Sequence, residues 1–163
     1  MLPPKRNPRL QYPFCAVVAP AIEKEILIEA PVDVVWQLVT EPDHIRQWFA
    51  DQAEIDLRVG GHGSFGFQSG DSYQLQVETI DPPRRFAFRW ARRPDTVVRS
   101  DNSLLVEFIL HPENGSTRLR VVESGFEALD WSDEEKAKYA EDHARGWHTL
   151  LGRLRDRAAS ARP

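Results

Sequence analysis

The strongest constraint on this chain is a change of hydrophobic period. Apolar residues recur at every second position between Ala53 and Glu123, and at helical spacing after Ser132. Ala53, Ile55, Leu57 and Val59 alternate with Glu54, Asp56 and Arg58, which marks a half-buried strand. Four further segments follow, Ser64–Gln68, Tyr73–Glu78, Arg84–Trp90 and about Ser103–Leu110, and then Thr117–Glu123. They are separated by Gly60-Gly61-His62-Gly63, Ser69-Gly70-Asp71-Ser72, Asp81-Pro82-Pro83, a polar loop with Arg92, Arg93, Arg99 and Asp101, and Pro112-Glu113-Asn114-Gly115. Connections of this kind are mostly too short to cross over a sheet, so the strands form an antiparallel meander. Ser132 and Glu135 then make a capping box. The helix they open can run to about Arg157, nearly ~40 Å at 1.5 Å per residue and enough to cross a whole sheet. The class this predicts is α+β.

Upstream, Glu23–Glu29 interleaves charged and apolar residues as a first strand. Pro31 suits the first turn of a helix carrying Val32, Val35, Trp36 and Val39, and Pro42 opens a second short helix running to Trp48. Trp36 and Trp48 are expected to pin these two helices to the sheet edge. Residues 1–20 hold Pro3, Pro4, Pro8, Pro13 and Pro20 and cannot be helical throughout. The predicted organisation is a Pro-rich extension at 1–20, one domain at 21–157 and a tail at 158–163. The extension has three available roles: capping a pocket, adding an edge strand, or mediating a homodimer.

Net charge of −4 argues against a general nucleic-acid binder, which needs a concentrated basic surface. The basic residues at the two ends read as solvated tails. A single cysteine, Cys15, excludes an intramolecular disulfide and has no nearby His to make it a nucleophile. No apolar run approaches the ~18 residues of a membrane span, and a cytoplasmic protein is expected. His143 and His148 lie roughly 140° apart around a helix, so they cannot share a metal; no metal or cofactor is expected. Gly60-Gly61-x-Gly63 lacks the Lys-Ser/Thr of a phosphate loop.

Ala30-Pro31, Val35-Trp36, Thr40-x-Pro42 and Trp48-Phe49 resemble the opening of the SRPBCC (START/birch-pollen-allergen) superfamily. Gly60-Gly61, Pro82-Pro83-Arg84-Arg85-Phe86, Glu123-Ser124-Gly125-Phe126 and Gly146-Trp147 before a Leu-rich helix follow in matching order. Within the superfamily the nearest resemblance is to activator of heat-shock protein 90 ATPase C-terminal-like proteins, over about residues 21–157. The resemblance implies a helix-grip fold, with a curved antiparallel sheet of 6–7 strands wrapped around the C-terminal helix and a cavity between them. It implies binding of lipid-like or polyketide-like molecules, cyclase, dehydratase or hydrolase chemistry, or a chaperone partner. The eukaryotic chaperone activators carry a separate N-terminal domain, whereas only residues 1–20 precede the domain here, which weighs against that last role.

Alternation predicts an inner sheet face of Ile55, Leu57, Phe65, Phe67, Tyr73, Leu75, Val77, Phe86, Phe88, Trp90, Val106, Phe108, Leu119 and Val121, with Glu123 also inward. This aromatic face suits a small hydrophobic ligand and equally a filled core; the resemblance favours the cavity. On the helix, Tyr139, His143, Trp147, Leu150 and Leu154 fall on one face. Gly146 and Gly152 each cost that helix roughly 1 kcal/mol relative to Ala, and Gly146 would allow close approach of the sheet or a ligand. The expected ligand contacts are Tyr139, His143, Trp147, Phe65, Phe67, Tyr73, Phe86, Phe88, Trp90 and Phe108. Should Glu123 approach His143, it would orient the imidazole as a general base; the alternative is a rim histidine satisfied by one hydrogen bond.

Overall fold

The computed structural model describes residues 21–160; the Pro-rich extension, Cys15 and residues 161–163 lie outside them. Its elements in chain order are β1 (Ala21–Ile28), α1 (Val32–Thr40), α2 (Pro42–Ile45), β2 (Gln52–Ile55), β3 (His62–Gly66), β4 (Ser72–Asp81), β5 (Arg85–Ala91), β6 (Ser103–Glu113), β7 (Ser116–Ser124) and α3 (Asp133–Ser160). One seven-stranded sheet has the order β1-β7-β6-β5-β4-β3-β2. Every adjacent pair is antiparallel. The fold is α+β, with the long C-terminal helix laid across one face of the sheet.

β2 to β7 form the meander, and β1 closes on its far end, pairing Ala21 with Ser124 and Ile28 with Thr117. The two short helices therefore carry the chain from one sheet edge to the other. They are anchored on central strands rather than at the edge. Trp36 stands edge-on to Phe86 of β5 and Trp48 to Phe108 of β6. The Trp48 indole N–H donates to the Leu38 carbonyl at 2.8 Å, and the Thr117 hydroxyl to the Ala30 carbonyl at 2.8 Å. Both bonds satisfy buried polar groups that would otherwise oppose folding.

The strand pattern sorts the two faces. Phe65, Leu75, Val77, Phe86, Phe88, Val106, Phe108, Leu119 and Val121 are buried on the inner face. The outer face carries cross-strand ion pairs, Arg89–Glu78 at 2.6 Å, Arg120–Glu23 at 2.9 Å, Arg118–Glu25 at 3.0 Å and Arg85–Glu107. The expected continuation of β2 through Val59, with Leu57 inward, fails at the β2–β3 connection. β2 ends at Ile55, and Leu57 and Val59 are 41% and 69% exposed. Asp56–Gly61 is instead a tight turn in which the Gly61 N–H donates to Arg58 O at 2.8 Å. A Cβ on Gly61 would fall 2.0 Å from the Asp56 carbonyl oxygen, so only glycine fits.

α3 starts at the expected capping box, with the Glu135 N–H donating to Ser132 Oγ at 3.1 Å and the Ser132 N–H to Glu135 Oε2 at 3.3 Å. Its buried residues are Trp147, Leu151, Leu154 and Ala158. Steps of four and three from His143 reach Leu151 rather than Leu150, which stands half-exposed beside the stripe. Burial of Ala158 carries the helix through Ser160, into the segment expected as tail. Among the described residues, no helix is long and apolar enough to cross a membrane.

The cap sets where α3 begins and hence the height of its polar face over the sheet. Ser132→Ala is expected to cost about 1 kcal/mol, read as a lower denaturation midpoint with unchanged slope in urea.

Candidate ligand site beside a buried carboxylate

Glu123 is the end of the inner-face alternation Thr117, Leu119, Val121, Glu123 on β7, and it is fully buried. Three N–H groups converge on it. Oε1 accepts from His143 Nδ1 at 2.6 Å and from Trp147 Nε1 at 3.2 Å, and Oε2 accepts from Trp90 Nε1 at 3.0 Å. Two donors come from α3 and one from β5, so the carboxylate joins helix and sheet. Burial alone would raise its pKa. The His143 hydrogen bond, the fields of His143 and Arg92, and the Trp90 N–H outweigh that and hold it below the usual carboxylate range.

Arg92 completes the arrangement. It follows Phe86, Phe88 and Trp90 at the same parity, one residue past the end of β5. Its guanidinium carbon lies 3.9 Å from the Trp90 ring centre, 5.0 Å from that of Tyr73 and 5.5 Å from that of Tyr139. Nη2 donates to the Ala91 carbonyl at 2.9 Å, and Nη1 faces His143 Nε2 at 3.5 Å. Burial lowers the guanidinium pKa to about 10, against the opposing pull of Glu123 and Tyr73, which leaves it cationic at neutral pH. A guanidinium only donates, so His143 Nε2 accepts and Nδ1 carries the proton to Glu123. His143 thus bridges a buried carboxylate and a partly buried guanidinium. The Tyr139 hydroxyl and Arg92 Nε are buried with no hydrogen-bond partner.

The expected contact residues divide into two groups. Phe65, Phe86, Phe88 and Phe108 are at most 2% exposed and belong to a filled interior. The void among Phe65, Phe88, Phe108 and their neighbours measures about 10 Å³, no more than one water could use. Phe67, Trp90, His143 and Trp147 instead line an open cleft of about 400 Å³ beside α3, completed by Phe49, Gly146, Leu150 and Arg153, with Asp142 and Thr149 at its rim. Tyr73 lies under Arg92 against Trp90, and Tyr139 opens on a separate cleft near Trp131. No protein atom comes within 4 Å of where a Gly146 side chain would begin. The sheet does not approach the helix there; the space is the cleft.

Three site residues were not singled out from the sequence: Arg92, Phe49 and Arg153, the last grouped with the solvated basic residues of the C-terminal end. Arg92 stands in a polar loop of the sequence, although its parity with Trp90 signals an inward side chain. Phe49, stacked 5.8 Å from Trp147 and edge-on to Phe65 at 4.9 Å, follows a helix too short to show a period. Among the described residues, no group of three His, Cys, Asp or Glu side chains is placed to hold a metal ion.

A family model described as "Activator of Hsp90 ATPase homolog 1-like protein" matches residues 29–159. Among solved structures, protein MLL2253 from Mesorhizobium loti superposes with a TM-score of 0.74 at 19% identity, over 88% of this chain and 99% of that one. DynU16, described as a putative protein in the dynemicin biosynthetic locus, gives 0.69 at 26% identity, over 88% of this chain and 49% of that one. The Aha1 dimer from Colwellia psychrerythraea gives 0.68 at 20% identity, over 83% and 93%. The chain thus spans about half of DynU16 and nearly all of the other two. Among curated proteins, none matches it.

A carboxyl whose folded pKa is depressed stabilises above its unfolded pKa of about 4.3 and loses that contribution as pH falls through the folded value. Glu123→Gln is therefore expected to lower stability at pH 7 by roughly 2 kcal/mol or more. That difference should shrink progressively below about pH 4. Urea titrations of both proteins between pH 3 and 7 check it; a constant difference would mean that Glu123 is not buried as an anion.

Proposed function

The chain belongs to the Activator of Hsp90 ATPase homolog 1-like family, and on that footing we propose that it binds a small hydrophobic or aromatic molecule in the cleft beside α3. The observation that carries the reading is a cleft of about 400 Å³ walled by Phe49, Phe67, Trp90, Trp147 and Leu150, and open where Gly146 lacks a side chain. Apolar walls with a few convergent polar groups are what a guest of drug-like size requires. The filled interior leaves this cleft, rather than a space enclosed between sheet and helix, to receive the guest. DynU16, at 26% identity, is described as a putative protein in the dynemicin biosynthetic locus, a setting compatible with a small organic guest.

Catalysis at the same cleft has one observation in its favour, the 2.6 Å contact between Glu123 and His143 Nδ1, which orients an imidazole as a general base requires. Nε2, however, already faces Arg92 at 3.5 Å. The base is engaged in this arrangement, and binding takes precedence. A guest recovered chemically altered from the protein, but unaltered from His143→Gln, would reverse that order.

Gly146 separates stability from binding. Gly146→Ala is expected to raise stability by about 0.5–1 kcal/mol, because the helix gains propensity and no atom is displaced. Gly146→Leu projects into the cleft and is expected to weaken any guest at least tenfold while the protein stays folded. Thermal-shift and tryptophan-quenching titrations with neutral aromatic compounds measure both; a guest that binds Gly146→Leu unchanged lies elsewhere.

A further inference from the structure

We propose that the guest of this cleft is an amphipathic organic anion, its apolar body against Phe49, Phe67, Trp90 and Trp147 and its acid group on Arg153. This rests on the cleft being a binding site and adds the chemical class of what enters it.

The charged groups of the cleft are Asp142, His143 and Arg153. Asp142 is paired with Arg145. His143 is held between Glu123 and Arg92 and is paired with the Glu123 carboxylate at 2.6 Å, so it leaves no unpaired charge. Arg153 has no carboxylate in ion-pair contact among the described residues, so the uncompensated charge of the cleft is positive and sits at one end. Asp142 and Arg153 are eleven positions apart on α3, a span of about 16 Å at 1.5 Å per residue, with Gly146, Trp147 and Leu150 between them. The cleft is therefore apolar along its length and cationic at one end.

The same arginine is shared with a neighbour. Arg153, Phe49 and Phe67 also line an adjoining cleft of about 610 Å³, which is more polar and includes Arg46, Gln47, Asp51, Gln68 and Ser69. Arg46 there is held by Asp43 and by the Ala53 carbonyl at 3.3 Å, so it is committed. Asp51 forms no ion pair with Arg153. The arginine thus stands where an apolar groove opens into a hydrated one. That is where the head group of an amphipathic anion remains partly solvated while its body is removed from water. A carboxylate, sulfonate or phosphate gains an ion pair there; a neutral acceptor gains only a hydrogen bond, and a cationic head group is repelled.

The test uses two probes with the same body, 8-anilinonaphthalene-1-sulfonate and neutral N-phenyl-1-naphthylamine, titrated by fluorescence into the folded protein and its variants. The expected result is that the sulfonate binds about tenfold more tightly than the neutral amine, with this advantage shrinking in 0.5 M salt. In Arg153→Gln the ratio of the two affinities should fall to about one, and in Gly146→Leu both probes should lose their sites. Equal affinities in the wild-type protein, or a ratio unmoved by Arg153→Gln, would overturn the anion assignment and leave the cleft as a binding site. Absence of binding by either probe would overturn the cleft reading and this inference together.

Discussion

The arrangement depends on one buried carboxylate. An ionised side chain taken out of water costs several kcal/mol unless donors replace its hydration, and Glu123 is met by three. One comes from β5 and two from α3, so the anion is stable only when the helix sits at one height and rotation over the sheet. Apolar packing of Leu151, Leu154 and Ala158 is less particular, since aliphatic side chains tolerate sliding. The carboxylate selects the register, and His143 and Trp147 are oriented as a consequence.

That selection has an electrical counterpart. A lone buried carboxylate and a lone, largely desolvated guanidinium would each be costly, and the two are not in direct contact. His143 separates them, donating from Nδ1 to one and accepting at Nε2 from the other. Stacking of Arg92 on Trp90 and beside Tyr73 and Tyr139 supplies part of what its lost hydration removed. In the same chain of contacts the imidazole faces Arg92 with its second nitrogen at 3.5 Å.

Most of the fold was legible because it follows from period and punctuation. The switch from alternation to helical spacing, the capping box at Ser132 and the turn residues locate the strands and α3 closely. What the sequence concealed lies where local chemistry overrode period. Leu57 and Val59 continue the alternation of β2, but the Gly60-Gly61 turn draws them out of the sheet. Leu150 fits a face drawn from Tyr139 and Trp147, but α3 turns Leu151 inward. The site was half legible: Glu123 follows from parity and His143 from spacing, whereas Arg92 required carrying the β5 parity past the strand's end. Alternation marks which side chains point inward, but it cannot tell a filled interior from a pocket. That difference is one of volume, decided by how Phe49 and Trp48 descend from a connection with no period of its own.

The division between interior and cleft also determines what a substitution can report. Trp90 and Trp147 wall the cleft with their rings and hold Glu123 with their N–H groups. Removing Glu123 therefore moves the cleft walls as well as the charge, and a loss of binding in such a variant would not distinguish a guest contact from a displaced helix. Gly146 and Arg153 are free of that ambiguity, since neither touches the carboxylate. One is an absence of side chain at mid-cleft, and the other is an exposed cation at its end. Shape and charge of the proposed guest would thus be read by Gly146 and Arg153, which do not touch the carboxylate, while Trp90, His143 and Trp147 hold Glu123 between sheet and helix.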